Sequence, residues 1–133
     1  MACALLLALS AAAGCGSKVQ QIAPTKEVEL LYKVQSGYEM AYSQLGHPPK
    51  DFAELQPHLN GVATEQELVS PNDKLPYVIL YGVDTRQQTA GIPVVAYEQQ
   101  GADGTRRVLT AMGIESMDEA TFRTRVPSAP KGN

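Results

Sequence analysis

The chain has 133 residues, a formal charge of −3, a pI near 5.3 and 44% hydrophobic residues. That length holds one domain and buries a core without staples, while the acidic balance argues against a nucleic-acid partner, which requires a basic face. Both cysteines, Cys3 and Cys15, fall at the extreme N-terminus, so disulfides, cysteine–zinc sites and thiol catalysis are excluded from everything beyond them.

An apolar run from Ala4 to Ala13 opens the chain and ends in Ala12-Ala13-Gly14-Cys15. It is shorter than the roughly 20 apolar residues a membrane-spanning helix needs, and it has the small-residue close of a secretory signal. Small residues followed by a cysteine resemble the lipobox of bacterial lipoproteins. The resemblance implies that residues 1–14 are a lipoprotein signal peptide and that Cys15 is the lipidation site and new N-terminus. It also implies a protein in the bacterial cell envelope, anchored to a membrane by lipid and facing the periplasm or exterior. Gly16 rather than Asp after the cysteine leans toward the outer membrane. One acyl chain holds marginally, whereas two or more hold durably. The alternatives are a plain secretory signal with Cys15 as a bystander, or a buried apolar helix. Residues 15–24 read as the lipidated cysteine and a short polar tether.

From Thr25 the pattern becomes helical. Thr25 is the expected N-cap, Glu27 and Glu29 sit in the first turn, and Val28, Leu31, Val34, Tyr38, Ala41, Tyr42 and Leu45 recur at helical spacing along one stripe. Gly37 interrupts this helix at a cost of about 1 kcal/mol. Gly46 and Pro48-Pro49 end it. Asp51-Phe-Ala-Glu54 and Thr64-Glu-Gln-Glu67 have capping-box spacing and open brief connector helices, the first limited by Pro57.

Three strands are expected next. Pro76 to Val83 is apolar on both faces, which predicts a central position. Asp84 to Gly91 reads as an exposed loop. Ile92 to Gln100 and Thr105 to Met112 are the second and third strands, joined by the Gly101-Ala-Asp-Gly104 turn. Ser116-Met-Asp-Glu119 predicts a short C-terminal helix with its acids first and Arg123 and Arg125 last. Pro127 to Asn133 reads as a disordered tail. The fold class is therefore α+β: a long N-terminal amphipathic helix packed on a three-stranded antiparallel meander, within a single domain spanning residues 25–126.

That order, with Ser70-Pro-Asn-Asp-Lys-Leu-Pro-Tyr77 leading into the sheet and Gly101-Ala-Asp-Gly104 between strands, resembles the pilin-like head of major type II secretion pseudopilins. The run from Val94-Val-Ala-Tyr-Glu98 to Glu119-Ala-Thr-Phe122 is also similar to uncharacterised exported proteins of planctomycete-type bacteria. The resemblance implies a pilin-like head re-anchored by lipid. It does not imply a filament subunit, because the apolar segment is short and precedes the cysteine. It further implies calcium in the sheet loops, where Asp84 and Asp103 face each other with Asn72 and Asp73 on a neighbouring turn. Calcium takes six to eight oxygen ligands, and the competing reading of all four residues, which the absence of a recognisable loop signature favours, is ordinary turn chemistry.

Other candidate sites are weak. His47 and His58 lack the i,i+4 spacing of a zinc helix. Arg106 and Arg107 are adjacent on a strand, point to opposite faces and read as solvated or salt-bridged. The six tyrosines Tyr32, Tyr38, Tyr42, Tyr77, Tyr81 and Tyr97 offer a sugar- or peptide-binding face or, more simply, the rim of a core. The functional expectation is a non-catalytic interaction module with a cell-envelope protein partner. A calcium- or small-ligand-binding lipoprotein is the alternative, and a hydrolase stands behind both.

Overall fold

The computed structural model describes residues 19–22, 25–87 and 91–129. A short strand β1 (Val19–Gln21) precedes a 3₁₀ turn (Lys26–Val28) and the long helix α1 (Glu29–Leu45). Helix α2 (Phe52–Leu55) and two further 3₁₀ turns (Gln56–His58, Glu65–Glu67) form the connector. Four strands follow, β2 (Val78–Ile79), β3 (Val94–Tyr97), β4 (Thr105–Thr110) and β5 (Gly113–Asp118), and then helix α3 (Glu119–Arg125). The sheet is antiparallel with the order β1-β5-β4-β3-β2.

The α+β class and the long N-terminal helix stand, but the sheet has five strands where the sequence predicted three. β5 was missed because Gly113 to Asp118 carries Glu115, Ser116 and Asp118 among its apolar residues. The sheet nevertheless buries Glu115 by pairing it with Gln21 (3.2 Å) and Arg125 (3.4 Å). The expected cap at Ser116 accordingly moves to Asp118, whose carboxylate accepts from the Thr121 N–H at 2.8 Å. β1 lies inside the segment read as tether, and Val19 pairs with Met117. Expectations for residues 1–14 and for Cys15 fall outside the described residues.

Pro76 to Val83 is also corrected. Its strand is an edge strand of two residues, not a central one. Apolar residues on both of its faces report that both faces of the sheet are covered, which says nothing about how many strand neighbours it has. On one face α1 places Leu31, Val34 and Tyr38 against Ile79, Val95, Ala96, Leu109 and Ile114. On the other, Phe122, Val126 and Ala129 pack on Val94, Tyr97, Val108 and Met117. A register shift between Val94 and Ala96 turns Val95 and Ala96 both toward α1. Residues 127–129, expected in the tail, are folded back: Ala129 is buried, and its carbonyl accepts from Arg123 at 3.0 Å.

The helix ends follow local chemistry. Gly46 adopts φ +76° and donates its N–H to the Tyr42 carbonyl at 2.9 Å, closing α1 as expected. Thr25 is extended, and its side chain makes no cap, so the chain enters α1 through the 3₁₀ turn. Asp51 caps α2 by accepting from the Glu54 N–H at 2.9 Å, and the Thr64/Glu67 capping box forms. Gly37 is a contact point: a Cβ there would stand 2.7 Å from Leu59 Cδ2 and 3.1 Å from the His58 carbonyl oxygen.

Candidate functional site

The richest polar cluster lies where β3 leaves the sheet. Glu98 follows an all-apolar strand, is fully buried, and its carboxylate is held by the Ser70 hydroxyl (2.5 Å), the Asn72 amide (3.1 Å) and the Arg107 backbone N–H (2.8 Å). Next to it, Asp73 ties the 70–75 turn to the 100–104 turn. Its Oδ1 accepts from the Leu75 N–H (3.0 Å), and its Oδ2 accepts from the N–H groups of Gln100 (2.9 Å) and Gly101 (3.0 Å). Gly101 is required here, with φ +69° and a Cβ position only 2.0 Å from the Thr105 carbonyl oxygen. Asn72, Asp103, Thr105, Arg107 and Ser116 line an open polar cleft of about 450 Å³, walled on one side by Gln21 and Ile22.

The sequence-predicted residues therefore separate into two groups. Asn72, Asp73 and Asp103 come together at this end of the sheet. Asp84 does not join them. It follows β2 at the opposite end of β3, where it accepts from the Tyr42 hydroxyl (3.0 Å) and from the N–H of Arg86 (3.0 Å). Loops at the two ends of one strand cannot face each other, so the expected Asp84–Asp103 pair is not formed.

Of the remaining three, Asp73 is already engaged as a structural tie and Asn72 is bound to Glu98 through its amide nitrogen. Arg107 shares the cleft. Calcium takes six to eight oxygen ligands, and the oxygens of Asp73 there already accept backbone N–H groups. Among the described residues, no group of three or more His, Cys, Asp or Glu is placed to hold a metal ion.

The arginines serve as ties, as their strand spacing predicts. Arg106 is 3% exposed and grips Glu119 through Nε (2.9 Å) and a second nitrogen (3.0 Å). It also donates to the carbonyls of Glu98 and Gln99 and lies 4.3 Å from the centre of the Phe122 ring. Arg107, on the opposite face, reaches Glu27 at 3.2 Å. Desolvation acts to raise the Glu119 carboxyl, but the hydrogen bonds and charges of Arg106 and Arg123 outweigh it and hold the group below the ordinary carboxylate range.

The tyrosines are dispersed. Tyr38 bridges α1 to the 80–83 segment, accepting from the Val83 N–H (3.0 Å) and facing the Leu80 and Val83 carbonyls (3.1 and 3.3 Å). Tyr97 packs edge-on against Phe122 under α3, on the other face of the sheet. Tyr32 donates to the Ile22 carbonyl at 3.2 Å. They form core and rim, not one binding face. His47 lies 2.8 Å from the Pro48 carbonyl, and His58 sits in the turn that crosses Gly37. Sequence reasoning missed Glu98 as the hub. The available signal was a glutamate ending an uninterrupted apolar run, Val94-Val-Ala-Tyr-Glu98.

No protein-family model, curated protein or solved structure matches this chain.

Proposed function

We propose that the protein is a lipid-anchored, extracytoplasmic interaction module of the bacterial cell envelope with a pilin-like head, non-catalytic, meeting a protein partner there. The observation that carries this reading is the position of the folded head relative to the lipobox-like cysteine. β1 begins four residues after Cys15, so the described head starts beyond the lipobox-like cysteine, as a cut before Cys15 would require. The long helix preceding an antiparallel sheet supports the pilin-like comparison. The non-catalytic part rests on how the polar groups are used. Glu98, Asp73, Arg106 and Glu119 each have several structural partners within the head, and these partners fix loops to strands.

Feeding cells an alkyne fatty acid and comparing the native chain with Cys15→Ser tests the anchor. The native chain is expected to take the label and fractionate with membranes, and the variant to do neither. Equal labelling, or an unlabelled native chain released as a free protein, removes the proposal.

A further inference from the structure

The pairing of β1 limits how the head can stand on a membrane. Val19 is level with Met117 and, across β5, with Arg106; the neighbouring pair at this end of the sheet is Thr105 with Asp118. β1 then runs away from that end toward the β4–β5 turn at Ala111-Met112. Cys15 precedes Val19 by four residues. Four residues span at most about 14 Å even when fully extended. Met112 lies some five residue steps along β5 from the level of Val19, or about 17 Å. The link from the lipid is thus shorter than the sheet is long.

We infer that the 100–105 end of the sheet, with the Asp103 turn and the polar cleft beside it, faces the bilayer, while the Met112 turn points away. The partner of this surface is a lipid bilayer, and the inference rests on the lipid-anchor reading. Surface apolarity alone favours the reverse. Met112 is 61% exposed, more than Met40 or Leu45, the other exposed large hydrophobic residues among those described, and a membrane would take such a tip first. The opposite end exposes Asp103, Gly104 and Thr105, which have no apolar bulk to insert. It is held near the headgroups by the chain and does not penetrate them. Only three positions, 16–18, separate Cys15 from β1 in the sequence, so on this inference the head rests at the surface instead of ranging above it.

The chain contains no tryptophan, so a single introduced one is a clean energy donor. Thr105→Trp and Met112→Trp are made in the chain beginning at Cys15, coupled through the Cys15 thiol to maleimide-headgroup lipid in phosphatidylcholine vesicles carrying a dansyl-headgroup acceptor. Circular dichroism melts check that both variants fold. Thr105→Trp is expected to transfer energy more efficiently than Met112→Trp. A Gly/Ser insert of about ten residues after Gly16, adding about 17 Å of root-mean-square reach, should erase the contrast. Equal transfer without the insert, or stronger transfer from Met112→Trp, overturns the inference. Because maleimide coupling supplies the anchor, this result does not depend on acylation. Failure of fatty-acid labelling would sink the proposed function while leaving the orientation measurement intact.

Discussion

Glu98 stands at the end of β3 with its carboxylate out of contact with water and three donors aimed at it. Removing the acceptor leaves the buried Ser70 hydroxyl without its partner and takes the carboxylate from the part-buried Asn72 amide and Arg107 N–H, and a buried orphan costs about 1–3 kcal/mol. Glu98→Leu, which keeps the volume and discards the oxygens, should lower unfolding stability by about 3 kcal/mol in a urea titration. Glu98→Gln keeps one oxygen, and the Ser70 hydroxyl can reverse to accept from the new amide, so its loss should be nearer 1 kcal/mol. Amide exchange at Arg107 should quicken in both. Similar small losses from the two variants would mean that the carboxylate is not what joins the 70–75 turn to the sheet. This residue was hidden in the sequence because a lone glutamate after four apolar positions looks like a strand end reaching water. Only the chain placing Ser70 and Asn72 over it, twenty-eight and twenty-six residues away, makes it a hub.

Among the elements, α1 was legible because a buried stripe at 3.6-residue spacing survives in almost any context, and Gly46 marked its end. In the sequence Gly37 looks like a costly interruption of the helix, whereas in the fold it is the place where the Gln56–His58 turn crosses it. Gly37→Ala gains about 1 kcal/mol of helix propensity. It loses more, because the added carbon meets Leu59, itself 3% exposed, and a backbone oxygen that cannot retreat without moving the turn. A net loss of about 1 kcal/mol is expected. Leu59→Ala alone should cost about 2–4 kcal/mol through the cavity it leaves. Combined with it, Gly37→Ala should cost distinctly less than in the native chain, a coupling on the order of 1 kcal/mol. Strict additivity of the two would place the contact elsewhere. The strands were less legible for a related reason. Sequence alternation reports which faces are covered, and here α1 and α3 cover both, so β2 looked central while β5, with its charged residues paired in the interior, did not look like a strand at all.

At the scale of the whole molecule, the two faces of the sheet share one liability at high pH. Burial pushes the hydroxyls of Tyr38, Tyr77 and Tyr97 above their ordinary value of 10.0, and burial together with the nearby Glu65 charge pushes Tyr81 furthest. Tyr38, Tyr77 and Tyr81 lie on the α1 side and Tyr97 lies under α3, so ionising them disturbs both layers at once. A group whose value is raised on folding keeps its proton in the native state at pH values where the unfolded chain has lost it. Stability is therefore full below pH 10 and falls as pH rises beyond it, through the native values. Phenolate absorbance and far-ultraviolet circular dichroism should consequently report one shared transition for these four groups, starting above pH 10. Phenolate absorbance from all six tyrosines that is complete before the circular dichroism changes would contradict this. Tyr81 sharpens the test, because its hydroxyl is buried beside the Glu65 carboxylate without a hydrogen bond of good geometry, and Tyr77 is placed likewise beside Ser70, which is committed to Glu98. Tyr81→Phe removes both the poorly bonded hydroxyl and one ionising group. It is expected to raise stability at neutral pH by on the order of 1 kcal/mol and to move the alkaline transition upward, where an ordinary loss of a hydrogen-bonded tyrosine would lower both.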